Sequence, residues 1–273
     1  MATEHARPPL DFRIVDETDD YLVVEKPPFL LIHPSKPDGP PTLWAALREL
    51  LAFELINGGQ VSIVNRLDRE TSGLVLIAKN AASARRFGLA MERRLVAKEY
   101  LALVCGWPAW ATTAVDAPLL RQGERVPSAI WLKQTIHEDG APAVTDFRVE
   151  ERFVRQDSLG EKFAVVRAFP RTGRTHQIRV HLAHLGHAIV GDKIYGPNEK
   201  LYLRFIETGW TEELQSQLLL PRHALHSARL RIDAQLDWES ALPPDLENWM
   251  RPDAGERELS SRAGEARRGT PQA

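Results

Sequence analysis

The chain has 273 residues, with 35 lysines and arginines against 37 aspartates and glutamates and 43% apolar residues, the balance of a soluble globular protein. No stretch approaches the roughly 18 consecutive apolar residues of a membrane span, and residues 1–9 lack the apolar centre of a secretory signal, so cytoplasmic residence is expected. Cys105 is the sole cysteine, which excludes an internal disulfide or a cysteine-based zinc site and leaves a buried thiol in an apolar strand as its reading.

Residues 1–9 and 252–273 are polar and offer little to bury; both are expected to be disordered, leaving residues 10–251 as one domain. Residues 12–15 and 21–24 read as a hairpin around Asp19-Asp20, ended by Lys26-Pro27-Pro28. Thr42 is placed to cap a helix that carries Leu43, Ala46, Leu47, Leu50 and Leu51 on one stripe. Residues 61–64 and 73–78 read as strands, and Asn80 caps a helix running to about Arg94. Strands follow near residues 98–105, 112–117, 129–137, 144–154 and 163–169. Thr175 then caps a helix in which Ile178, Leu182 and Leu185 point inward. Strands outnumber helices, and several links are too short for parallel crossovers. The expected class is therefore α+β, a single domain with a mixed, largely antiparallel sheet. No internal repeat or Gly/Ser-rich linker divides it.

The formal net charge of −2 conceals a pattern. From Arg66 to Lys98 there are eight basic and three acidic residues; from Arg167 to Lys193 there are five basic residues, one acidic residue and four histidines. Cationic stretches of this kind suit phosphate neutralisation, although arginines such as Arg85, Arg86, Arg93 and Arg94 fit a solvated helix face equally well. Asp68 lies in the first stretch, between Arg66 and Arg69 on the loop entering the apolar strand 73–78. A carboxylate flanked by fixed positive charge stays ionised at neutral pH, which suits a nucleophile or an electrostatic stabiliser.

The run Asn65-Arg66-Leu67-Asp68-Arg69-Glu70-Thr71-Ser72-Gly73 resembles the catalytic motif of the RluA family of pseudouridine synthases, which usually begins with His where this chain has Asn65. Val24-Glu25-Lys26-Pro27, Lys98-Glu99-Tyr100, and Arg171-Thr172-Gly173-Arg174-Thr175-His176-Gln177-Ile178-Arg179 through Gly191-Asp192-Lys193 and Tyr195-Gly196 follow in the family's order, over roughly residues 12–232. The resemblance implies a bent sheet flanked by helices around a central RNA-binding cleft. It also implies isomerisation of uridine in structured ribosomal or transfer RNA, without metal or organic cofactor. The small N-terminal RNA-binding module that many members carry is not expected, because the catalytic pattern begins by residue 12.

The resemblance also assigns roles. Asp68 is the essential carboxylate, acting by a covalent or a glycal-type route. Arg179 pairs with it, and Tyr100 stacks on the uracil. Arg66 enters the RNA stack where the target nucleotide has been extruded. Asn65, Arg69, His176 and Ile178 complete the expected RNA-contacting set, with Asn65 hydrogen-bonding the loop or the RNA backbone in place of a titrating His. Lys26 is expected to support the fold beside the site rather than take part in it. RNA is the expected partner, with no membrane and no protein partner, and the chain is expected to act as a monomer. Two rivals stand beside this reading. One is an RNA-binding protein without catalysis, which Asn65 suggests. The other is a metal cluster of His176, His181, His184 and His187, whose spacing a helix ending at Gly186 would spoil.

Overall fold

A computed structural model describes residues 12–34, 39–155 and 162–251; the tails expected to be disordered lie outside the described residues. β1 (Arg13–Glu17) and β2 (Tyr21–Lys26) form the expected hairpin. The Thr42 hydroxyl accepts from the Ala45 amide at 3.2 Å and caps α1 (Leu43–Leu50), after which α2 (Ala52–Ile56) follows. β3 (Ser62–Ile63) pairs antiparallel with β4 (Ser72–Ala78), whose seven residues are all buried. α3 (Ala81–Glu92) begins with a reciprocal box between Asn80 and Ser83 and lays Phe87 against Val23, Leu74, Leu76 and Leu230. Its arginines Arg85 and Arg86 face solvent, as do Arg93 and Arg94 beyond it.

β5 (Ala97–Cys105), β6 (Thr112–Asp116), the short hairpin of β7 (Leu119–Arg121) and β8 (Gln134–Ile136), β9 (Val144–Val154) and β10 (Lys162–Pro170) come next. Then follow α4 (Gln177–His184), α5 (Lys200–Thr208), α6 (Glu212–Leu218), β11 (Leu225–Arg231) and β12 (Asp237–Glu239). These elements belong to a unit reaching Ala241; a second unit from Leu242 holds α7 (Pro244–Met250) among its described residues.

Ten of the strands form one sheet in the order β1-β2-β4-β11-β5-β10-β9-β6, with β3 also on β4 and β12 also on β11. The expected mixed, mainly antiparallel sheet is what forms. Among the described residues, its one parallel pairing of strands joins β11 to β4 through His226 opposite Ser72 and Ser227 opposite Gly73. Gly73 makes this junction possible. Its φ is +109°, and a Cβ there would lie 2.3 Å from the Ser227 carbonyl oxygen, so any side chain would separate the strands.

Two sequence expectations fail locally. The strand expected over residues 129–137 shrinks to β8, because Ser128 Oγ hydrogen-bonds both the amide and the carbonyl of Ile130 and holds that stretch in a turn. The helix expected from a Thr175 cap starts instead at Gln177. His176 occupies the cap position in a left-handed conformation (φ 56°) without a side-chain cap bond, and Thr175 is exposed. The Gln177 side chain does the tying. Its Oε1 accepts from Thr172 Oγ1 (2.7 Å) and the Arg174 amide (3.0 Å), and its Nε2 donates to the Val144 carbonyl (2.9 Å) and Thr145 Oγ1 (2.9 Å).

Candidate active site

The loop between β3 and β4 carries the conspicuous motif. Asn65 is 4% exposed; its Nδ2 donates to the Leu74 carbonyl (3.0 Å) and its Oδ1 accepts from the Leu76 amide (2.8 Å). The side chain thus prolongs the β3–β4 ladder and fixes the root of the loop. Both ends of the amide bond the backbone of β4, so Asn65 anchors the loop to the protein itself, and it also lines the cavity beneath Asp68. The turn at residues 68–71 is closed by backbone, Thr71 N–H to the Asp68 carbonyl at 3.2 Å, which leaves the Asp68 carboxylate free for other partners.

Those partners come from α4, 111 residues later. Arg179 Nη1 donates to Asp68 Oδ2 at 2.9 Å. The same guanidinium is gripped on its other edge by Asp192, with Nε to Oδ2 at 2.7 Å and Nη2 to Oδ1 at 2.9 Å. Asp192 is 1% exposed and also accepts the amides of Ile194 (2.9 Å) and Tyr195 (3.0 Å). A bidentate pair fixes the plane of the guanidinium, so Nη1 is delivered to Asp68 in one orientation. Burial alone would push the Asp68 carboxyl up; His176, Arg179 and His223 outweigh it and hold it below the ordinary carboxylate range. The positive charges flanking Asp68 in sequence are not the ones that ionise it. Arg66 and Arg69 are exposed at the cavity wall, and Arg179 supplies the fixed charge.

The left-handed turn at His176 aims its imidazole at the same carboxylate, Nε2 lying 3.8 Å from Asp68 Oδ2. The Tyr195 hydroxyl accepts from the Gln134 amide (2.8 Å) and meets His176 Nδ1 at 2.8 Å. With Tyr195 as the donor in that bond, a neutral imidazole carries its proton on Nε2, facing Asp68. Burial first, and Arg179 second, push the His176 pKa down to about 4, so the ring is neutral at pH 7.

Tyr100 on β5 is 9% exposed and lines the same cavity of about 720 Å³, with Asp68, Arg179, His176 and Ile178 around it. Burial, opposed in part by a hydrogen bond with Ser227, raises its hydroxyl to about 12, so the ring is a neutral phenol. Ile178 is 6% exposed and presents an apolar patch to the cavity. Asp68, Tyr100, Arg179, His176, Ile178, Arg66 and Arg69 are therefore brought to one cleft, with Asn65 behind them.

Apart from Lys26, sequence reasoning assigned no role to the residues that hold this cleft together. Glu70 accepts from Lys193 Nζ (2.8 Å) and the His223 amide (3.1 Å), and although burial opposes it, His223 and Lys193 bring its pKa down to about 2. His223 Nε2 meets Thr71 Oγ1 at 2.7 Å. Lys26 is fully buried and donates to the carbonyls of Pro27 (2.8 Å), Leu30 (3.0 Å) and Arg69 (3.1 Å), tying the end of β2 to the residue after Asp68. Its expected supporting role has this geometry. The four histidines proposed as a metal cluster diverge: His181 bonds Thr145 and the Ala117 carbonyl, His187 bonds the Cys105 carbonyl, and His184 is exposed at the helix end. Among the described residues, no three His, Cys, Asp or Glu side chains are grouped to hold a metal.

A family model described as RNA pseudouridylate synthase matches residues 20–184. The chain belongs to the RNA pseudouridylate synthase family, and its reaction is the isomerisation of uridine to pseudouridine in RNA. It is 34% identical over 248 residues to ribosomal large subunit pseudouridine synthase D of Yersinia pestis, an alignment spanning 87% of this chain and 69% of the relative. The enzyme of the same name from Escherichia coli K12 is 33% identical over 248 residues, covering 87% and 68% of the two chains. Among solved structures, human RNA pseudouridylate synthase domain containing 1 superposes with a TM-score of 0.64 at 25% identity over 98% of both chains. Human RNA pseudouridylate synthase domain containing 4 shares the fold, with a TM-score of 0.64 at 23% identity over 86% of this chain and 90% of that one. The described residues contain no helix long and apolar enough to cross a membrane.

Proposed function

We propose that Asp68 is the essential carboxylate of this isomerase, with Arg179 as its counter-charge and Tyr100 as the ring on which the extruded uracil stacks. One observation carries the assignment: a guanidinium clamped by Asp192 presents its remaining edge to Asp68 at 2.9 Å inside a cavity large enough for a nucleotide. Ionised Asp68 either bonds C1′ as the N1–C1′ bond breaks, or removes the C2′ proton to expel the base. In both routes the uracil turns within the cavity; in the first, C5 bonds C1′ as the Asp68–C1′ bond breaks and the carboxylate is freed, and in the second, C5 bonds C1′ as Asp68 returns its proton to C2′, after which C5 gives up its proton and N1 gains one. Tyr100 and Ile178 keep the freed base dry and flat, and the neutral His176 offers its Nε2–H to an oxygen of the nucleotide or of Asp68. Arg66, exposed at the rim, is suited to take the place of the extruded base in the stack, and Arg69 to meet the RNA backbone nearby.

The relatives' names put the action of those proteins in the large ribosomal subunit; large-subunit ribosomal RNA is accordingly the substrate we propose, read as a folded loop with unstacked bases. We further propose that the chain works as a cytoplasmic monomer without metal or organic cofactor, which sedimentation and metal analysis of the purified protein would check. The catalytic assignment is tested by tritium release from large-subunit RNA transcribed with 5-tritiated uridine. Wild type releases tritium and Asp68→Ala releases none while melting at the wild-type temperature within a few degrees. Full release by Asp68→Ala overturns the assignment. No release by the wild type on this transcript or on transfer RNA favours the rival reading, a binding protein without catalysis.

A further inference from the structure

Lys98 sits two residues before Tyr100 on β5, on the same face of the strand and on the wall of the same cavity. Its sequence neighbour Glu99 points to the opposite face, where it binds Arg167 (3.0 Å) and Arg229 (3.8 Å). Among the described residues, no carboxylate or hydrogen-bond acceptor is paired with the Lys98 ammonium, in contrast to Lys26, Lys193 and Arg179 around it. Burial, the one influence acting on it, pushes its pKa down. Across from it stands Gly173, on the loop that leads to His176; a Cβ there would come to 3.5 Å from Lys98 Nζ, so the absence of a side chain keeps one side of the ammonium open to the cavity.

A half-buried ammonium without an anion is costly unless a ligand brings the missing charge. Successive residues on one face of a strand are roughly 6.6 Å apart, a span comparable to that between a base and its own backbone phosphate. We infer that Lys98 is a phosphate-binding residue, and that it takes one backbone phosphate beside the nucleotide whose base lies on Tyr100. The inference rests on the uridine-isomerase reading of the cavity and adds to it an anchor for the RNA backbone inside the cleft, deeper than the exposed arginines Arg66 and Arg69. An ion contact of this kind holds the substrate in the ground state and the transition state alike, so it belongs to affinity and not to turnover.

The test is equilibrium binding of a fluorescent oligouridylate to the full chain, followed from about 50 to 200 mM salt. Lys98→Gln is expected to weaken binding roughly tenfold at the low end and to make the slope of log affinity against log salt shallower by about 0.7, the share of one phosphate on a single strand. Lys98→Arg restores the slope. Replacing the phosphates one at a time by neutral methylphosphonate should find one position that weakens wild-type binding and leaves Lys98→Gln unaffected. With large-subunit RNA, the variant raises KM while kcat at saturation stays within twofold. Equal salt slopes for wild type and Lys98→Gln, or no phosphate position coupled to the lysine, overturn the inference. A wild type that releases no tritium would instead remove the reading beneath it, so the two failures are distinguishable.

Discussion

Asn65 shows how one side chain can replace secondary structure. Its amide supplies a donor and an acceptor at the end of β3, where the ladder to β4 would otherwise stop. Asn65→Ala leaves the Leu76 amide buried and unpaired and the Leu74 carbonyl with the Ser227 hydroxyl alone, at a cost of about 2 kcal/mol; urea unfolding measures it. Because the side chain is engaged with the backbone of β4, Asn65→His should change single-turnover rates by less than tenfold. A gain of several orders of magnitude would mean that a titrating group is wanted there. The convergence of Asp68, Tyr100 and Arg179 on one cleft was legible in the sequence through three short motifs. Asp192, Glu70 and His223 were not, because their contacts with Arg179 and with the Asp68 loop are set by tertiary folding and leave no local pattern. One signal was available for Asp192: a buried arginine has five donors to satisfy, and a single carboxylate such as Asp68 cannot accept them all.

Among the elements, the capped helices α1 and α3 and the long strands β5, β9 and β10 follow closely from local chemistry, Ser/Thr/Asn caps and apolar runs. The start of α4 does not. Thr175 is a good capping residue, but the Gln177 side chain, with partners on Thr172, Arg174, Val144 and Thr145, imposes a left-handed turn at His176 that no propensity predicts. That turn is what directs His176 to Asp68. No element was expected over the α5 and α6 segment, and it folds as two short helices with Leu201, Leu214 and Leu218 packed together. The β4–β11 junction is the most exacting element contact. Gly73→Ala combines a strained backbone with a methyl 2.3 Å from the Ser227 carbonyl, for an expected loss of about 3 kcal/mol or more. Thermal melting should fall by about 10 °C, and a shift under about 3 °C would show that the strands part easily.

For the whole molecule, the cleft is a set of buried ionisable groups whose protonation is linked to folding. His176 has its pKa lowered to about 4 from 6.5, and Glu70 to about 2 from 4.5. In both cases the unfolded chain takes up its proton first as the pH falls, so stability is complete above pH 6.5 and declines through the two windows in turn. The His176 window, from 6.5 to about 4, corresponds to on the order of 3 kcal/mol. The urea midpoint should therefore already drop between pH 6.5 and 5, before Glu70 begins to titrate in the unfolded chain, and His176→Gln should make that part of the curve shallower, the remaining slope coming from His181 and His223, which burial also lowers. A midpoint constant from pH 7 to 5 in the wild type would show that His176 is free to charge in the folded state.

The position of β11 also has a consequence for how the protein comes into being on the ribosome. This strand is made after every other strand of the sheet except β12, yet it lies between β4 and β5 and joins the halves that carry Asp68 and Tyr100. Until residue 231 has been synthesised and has cleared the exit tunnel, the nascent chain has two unsealed strand edges and an unfinished catalytic centre. Pairings so distant along the chain make for slow, late assembly. A nascent chain halted before Leu225 should thus bind chaperones and carry out no uridine chemistry, however complete its sequence motifs already are.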